Sequence, residues 1–184
     1  MPTVIIVIAA LVILIIIWVV SGQNRLVHAE ELCGNALSQI GVQQASRWDA
    51  LNALADLTKG YSEQEHRVLL DTIAARKSVG PETSAAEVQR QEDMLAQSFG
   101  RIHALAEAYP DLKSNTVYLK TMDSVQSFEE KVRMSRMVYN DTVTKYNRLV
   151  RALPGSLVAK SLGFGVRDYL QDDPGKANMP NMTR

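Results

Sequence analysis

Apolar residues follow two different patterns along this chain. From Val4 to Val20 every side chain is apolar, and no charged side chain occurs before residue 24. A helix rises about 1.5 Å per residue, so roughly 20 such residues cross a hydrocarbon core of about 30 Å. In lipid this Ile/Val-rich run must be helical, because only a helix satisfies its own backbone groups there. Beyond it the apolar positions become periodic. Leu26, Cys33, Ile40, Arg47 and Leu54 recur every seven residues, with Leu37 and Leu51 half a heptad away. A seven-residue repeat is a seam for packing against other helices.

The same reading predicts three more helices. Ser62 with Glu65 forms a capping box and starts a helix to about Lys77. Thr83 or Ser84 starts a third, carrying Val88, Leu95, Phe99, Ile102 and Leu105, which stops before Pro110. The fourth runs from about Ser114 to Leu153, on a row of Tyr118, Val125, Val132, Tyr139, Tyr146 and Leu153. Residues 156–162 form a further short helix. Gly22, Gly34 and Gly41 weaken the first helix by about 1 kcal/mol each relative to Ala, and Gly22 is the expected hinge. The fold class is therefore all-α: an N-terminal transmembrane helix continuing into an antiparallel four-helix bundle with long first and fourth helices. Residues 1–23 are the anchor, 24–170 the bundle and 171–184, rich in Asp, Pro, Gly and Asn, a disordered tail.

A cleaved signal peptide needs a basic leader and a small-residue cleavage site. No Lys or Arg precedes this run, and its apolar core is long. A retained single-pass anchor in a bacterial inner membrane fits better, with residues 4–20 in the bilayer. Arg25 on the downstream flank puts the bulk of the chain on the cytoplasmic side.

Composition narrows the function. Lys and Arg number 20, Asp and Glu 20, so the formal net charge is zero. A neutral, mixed surface argues against nucleic acid as a partner. It argues equally against a lipid-surface device built on Arg25, Lys160 and Arg167. Cys33 is the single cysteine, which leaves no internal disulfide and no cysteine-based metal site. The histidines His28, His66 and His103 make no H-E-x-x-H or other close metal pair. No phosphate-binding loop or nucleophile elbow occurs. The pattern thus offers no catalytic, cofactor or metal residues, and the tyrosines Tyr118, Tyr139 and Tyr146 read as bundle core.

The charges on the seams are the remaining chemistry. Arg47 falls on the apolar row of the first helix, and Glu129 and Arg136 flank the seam of the fourth. Unpaired charges there would be costly, so they are expected to pair across the bundle. The expected partners are Arg47 with Glu129, and Arg136 with an acid such as Asp49.

The chain resembles the LemA family of bacterial membrane-anchored helical proteins. The resemblance rests on Asn24-Arg25-Leu26-Val27, Arg47-Trp48-Asp49 and Lys59-Gly60-Tyr61, on Glu107 through Lys113, on Arg136 with Tyr139-Asn140-Asp141, and on Tyr146-Asn147. Leu153-Pro154 with Leu157-Val158-Ala159-Lys160 completes it. Ser46, Asn52 and the order Glu65-His66 depart from the family pattern. The resemblance implies a four-helix bundle on a membrane stalk and no particular reaction. The family's settings, magnetosome membranes among them, imply an organising role. The expected function is that of a non-enzymatic scaffold or adaptor that self-associates or docks other membrane proteins. The alternative is a membrane-bound sensor or enzyme with a ligand site in the bundle.

Overall fold

The computed structural model describes residues 2–170, so the tail expected over 171–184 lies outside the described residues. Helix α1 runs unbroken from Pro2 to Thr58. Its 57 residues span about 85 Å. The hinge expected at Gly22 is absent: the helix passes straight through it. A Cβ there would sit 3.2 Å from a Val158 methyl, so the glycine admits a neighbouring helix instead. Gly41 serves the same purpose more strictly. A Cβ there would lie 2.1 Å from the Val79 carbonyl oxygen, so the loop over residues 75–84 can rest on α1 only because that side chain is missing.

Helix α2 covers Glu63–Ala74, capped by the Ser62 hydroxyl, which accepts from the Glu65 amide at 3.3 Å. Helix α3 covers Ala85–Ala108, capped in the same way by Ser84 on the Glu87 amide. It ends where Tyr109 turns to φ −125°, ψ 93°, since the residue before proline avoids the α region. Pro110 then opens a one-turn helix, α4, at Pro110–Lys113, which the sequence pattern did not predict. A proline ends one helix but suits the first position of the next, where no amide bond is needed. Helix α5 covers Thr116–Arg151, and Asn115 caps it by accepting from the Val117 and Tyr118 amides. Helix α6, Gly155–Leu162, ends on Gly163 at φ 81°, the left-handed conformation that glycine adopts freely.

Helix α1 is the common partner, packing on α2, α3, α5 and α6. Its contacts with α5 run in opposite order along the two helices. Arg47 meets Glu129. Cys33, Leu37 and Ile40 share a cluster with Tyr139, Val143 and Tyr146. Leu26 clusters with Val158 and Ala159, against Leu149 and Val150. The third cluster, at the far end, joins Trp48, Leu51 and Leu54 to Leu69, Leu95, Phe99, Ile102 and Val125.

Residues 163–170 leave α6 and return along α5. Two asparagines seven residues apart hold them. Asn147 donates to the Arg167 carbonyl and accepts its amide, both at 2.9 Å. Asn140 does the same to Leu170, at 2.8 and 2.9 Å. The Tyr139 hydroxyl donates to the Asp168 carbonyl at 3.1 Å. These contacts seat Leu170 in the middle cluster and bring Arg167 to Glu30 of α1 at 3.2 Å. The Tyr-Asn pairs of the sequence are therefore a clasp: the tyrosine rings fill the core and the asparagine amides bind a passing backbone.

Candidate functional site

Between the far and middle apolar clusters lies a buried polar layer. Gln44 and Arg47 come from α1, Glu92 from α3 and Arg136 from α5, and all four are buried. Their positions follow from the packing seams. On α3 the row Val88, Glu92, Leu95, Phe99, Ile102 alternates steps of four and three. On α5, Val132, Arg136, Tyr139, Val143 and Tyr146 do the same. Each long helix thus places a polar side chain where its seam would otherwise carry an apolar one.

Glu92 is the hub. It accepts a hydrogen bond from the Gln44 amide at 3.3 Å and a charge-assisted one from the Arg136 guanidinium. Arg136 also donates to Gln89 at 3.1 Å. Arg47 donates to Glu129 at 3.4 Å and lies over the Phe99 ring, 5.9 Å from its centre. Two guanidinium groups and two carboxylates make the layer formally neutral. Its members differ in exposure. The side chains of Arg136 and Glu92 are 10% and 9% exposed, whereas Glu129, at 42%, stands on the rim beside Arg47 at 7%. Burial pushes the Glu92 carboxyl above its ordinary range, although Arg136, Arg47 and Gln44 all pull it back. Burial also lowers the Arg47 guanidinium. The Nε of Arg47, the Oε1 of Gln44 and the indole nitrogen of Trp48 have no protein partner among the described residues.

The structure brings Arg47 to Glu129, and it separates the other expected pair. Arg136 is not with Asp49. Asp49 points to solvent and meets Arg76 at 3.2 Å, because its place on α1 lies off the seam. Glu92 takes its place. The signal for Glu92 was available, since it interrupts an otherwise apolar row with three-four spacing. Gln44 is on the α1 row for the same reason.

An open cavity of about 480 Å³ adjoins the layer. Phe99, Met122 and Val125 supply its apolar part, and Asp123, Glu129 and Glu130 its acidic part, with Arg133 beside them. Among the described residues no three or more His, Cys, Asp or Glu side chains converge as a metal site would require. Glu65 reaches Arg101 at 3.6 Å and His66 bonds the Ala55 carbonyl at 2.9 Å, so the acidic start of α2 is dispersed. Cys33 is fully buried, which raises its thiol and withholds it from reagents.

The polar layer fixes how three helices align. Its hydrogen bonds form only when Gln44, Glu92 and Arg136 stand at one level. Helices that must keep a register use such interruptions at a cost in stability. Fold and layer together define an all-helical protein whose N-terminal helix is long and apolar enough to cross a membrane. The chain belongs to the LemA family, whose pattern it matches over residues 36–183. It is similar to Protein LemA of Metamycoplasma hominis, 26% identical over 147 residues, which are 78% of this chain and 66% of that protein. It is also similar to Magnetosome protein MamQ 2 of Paramagnetospirillum magneticum, 30% identical over 80 residues. Magnetosome protein MamQ of Magnetospirillum gryphiswaldense is 27% identical over the same length. The matches to the magnetosome proteins cover 44% of this chain and 29% of each relative.

Proposed function

We propose that this protein is a non-enzymatic scaffold or adaptor of the bacterial inner membrane, anchored once through residues 4–20. Its cytoplasmic bundle, residues 24–170, is an antiparallel four-helix arrangement that self-associates or docks other membrane proteins. The observation that carries this reading is the continuity of α1. The same helix has an apolar end with none of its most apolar window buried, and a far end sunk in the core. A rigid rod of that kind holds the bundle at a fixed distance and angle from its anchor. The polar layer keeps the bundle in one register under load. The likeness to magnetosome proteins is in keeping with an organising role.

Crosslinking in native membranes tests the proposal. A photoreactive residue at Met134 or Met137, both exposed on α5, is expected to yield discrete adducts. These would contain a second copy of the chain or one recurring membrane protein. A smear of unrelated products, or none, contradicts it. A second reading, a small-ligand sensor or enzyme, is favoured by the cavity beside Phe99 and Glu129. Saturable stabilisation of the bundle by a small cation or amine, lost in Glu129→Gln, would move the balance to that reading.

A further inference from the structure

We propose that α6 is a second membrane contact: a short amphipathic helix lying in the headgroup layer of an anionic bilayer, beside the point where α1 emerges. This rests on the reading of residues 4–20 as a membrane span.

The first observation is placement. Val158 of α6 stands over Gly22, and Val158 and Ala159 cluster with Leu26. Gly22 and Leu26 lie two and six residues past Val20, so α6 meets α1 about 3 to 9 Å beyond the apolar run. The polar layer on each side of a bilayer core is roughly 5–7 Å thick. Helix α6 is therefore held at headgroup depth.

The second observation is what α6 presents there. Its inner face is spent on α1. Its outer side carries Leu157, which is 59% exposed; Leu162, at its last position, is 44% exposed, and Leu153, in the turn that leads into it, is 75% exposed. Two exposed leucines on so short an element, with a third just before it, are costly in water and suit the acyl boundary.

The third observation is charge. From residue 144 to 167 the chain holds Lys145, Arg148, Arg151, Lys160 and Arg167, and no acid. Lys145 pairs with Asp141 and Arg167 with Glu30. Arg148, Arg151 and Lys160 are exposed, as is Arg25 on the neighbouring turn of α1. Glu30, on α1, is eight residues above Gly22, about 12 Å further from the boundary. The chain as a whole is neutral, but its fold gathers basic groups at the base. Basic residues near a surface attract anionic lipid, and leucines beside them insert. The lipid-surface role that overall neutrality argued against is restored by this uneven distribution.

The test uses the full chain with Cys33→Ala and single cysteines at Leu157, Val12 or Glu82, each carrying an environment-sensitive fluorophore. It is reconstituted into phosphatidylcholine vesicles with or without phosphatidylglycerol, and quenched by lipids spin-labelled near the headgroup or at mid-chain. The Leu157 label is expected to be quenched by the shallow probe about twofold more than the Glu82 label, and more again with phosphatidylglycerol. Reversing Arg148, Arg151 and Lys160 to Glu should remove that dependence on anionic lipid. If Val12 is quenched by the mid-chain probe while Leu157 stays at the Glu82 level, the anchor stands and the proposal is overturned. The leucines would then belong to a protein partner. If Val12 is not quenched, the span falls and this proposal with it.

Discussion

The two ends of α1 are one helix built for two surroundings. Residues 4–20 are apolar on every side, and their large side chains stand exposed, Ile5 and Ile6 each at 67%. Residues 26–58 are apolar on one seam only, and Leu26, Leu37, Ile40, Leu51 and Leu54 on it are buried. The apolar end carries no polar interruption, while the packed end has Gln44 and Arg47 in its seam. An all-round apolar surface has no preferred neighbour and suits lipid. A seam with a polar interruption has one neighbour in one register. The difference between uniform and periodic apolarity is thus the difference between a solvent and a partner.

The largest expected effect comes from removing one end. Without residues 2–22 the remainder should be released from the membrane pellet by a salt wash, which screens any surface contact through α6, and keep its helical circular dichroism. Retention on membranes after a salt wash would break the comparison, because the packed end would then hold the membrane as firmly as a span.

Next in size is the polar layer. Glu92→Leu strands Arg136, and Arg136→Met strands Glu92, each at about 3–5 kcal/mol for a buried pair. The double variant should cost far less, and urea unfolding of all three gives the coupling. Additive losses would mean that the pair carries no mutual stabilisation. The cycle on Arg47→Met and Glu129→Leu should show weaker coupling, since Glu129 is partly hydrated.

Truncation at matched positions sharpens the contrast further. Leu51→Ala, in a fully buried site, should lower bundle stability by about 2–5 kcal/mol. Ile13→Ala should leave it unchanged. A comparable loss at Ile13 would mean that the apolar end is packed against protein.

The smallest effect is one of pH. Glu92 holds its proton more tightly folded than unfolded, because burial raises it from its ordinary value of 4.5. The folded state therefore binds more protons in that interval, and stability falls as pH rises from about 4.5 through the raised value. Glu92→Gln should flatten this part of the stability curve. An unchanged slope in that variant would assign it to other carboxyls.

The long helices and the caps at Ser62 and Ser84 were legible because those residues and Pro110 act through local backbone chemistry, whereas the one-turn α4 and the Asn115 cap were not read. The seams of α1 and α5 were legible as seven-residue rows. Glu92 was missed because α3 was read for its apolar residues alone, and Arg136 was consequently matched to the wrong acid. The clasp of Asn140 and Asn147 was hidden for a different reason. Their amides bind a backbone some 20 to 30 residues away, and any sequence supplies that backbone. The basic base of the bundle escaped notice since its charges are dilute along the chain and gather only when α6 folds back on Gly22.

The most direct test of the account is a nitroxide scan along α1 from Val4 to Leu54 in reconstituted bilayers, reading accessibility to oxygen. The account predicts uniformly high, aperiodic accessibility over 4–20. From Leu26 onward it predicts a helical oscillation with minima at Cys33, Leu37, Ile40, Gln44, Arg47 and Leu51. An oscillation already present over 4–20 would contradict it, because that end of the helix would then face protein rather than lipid.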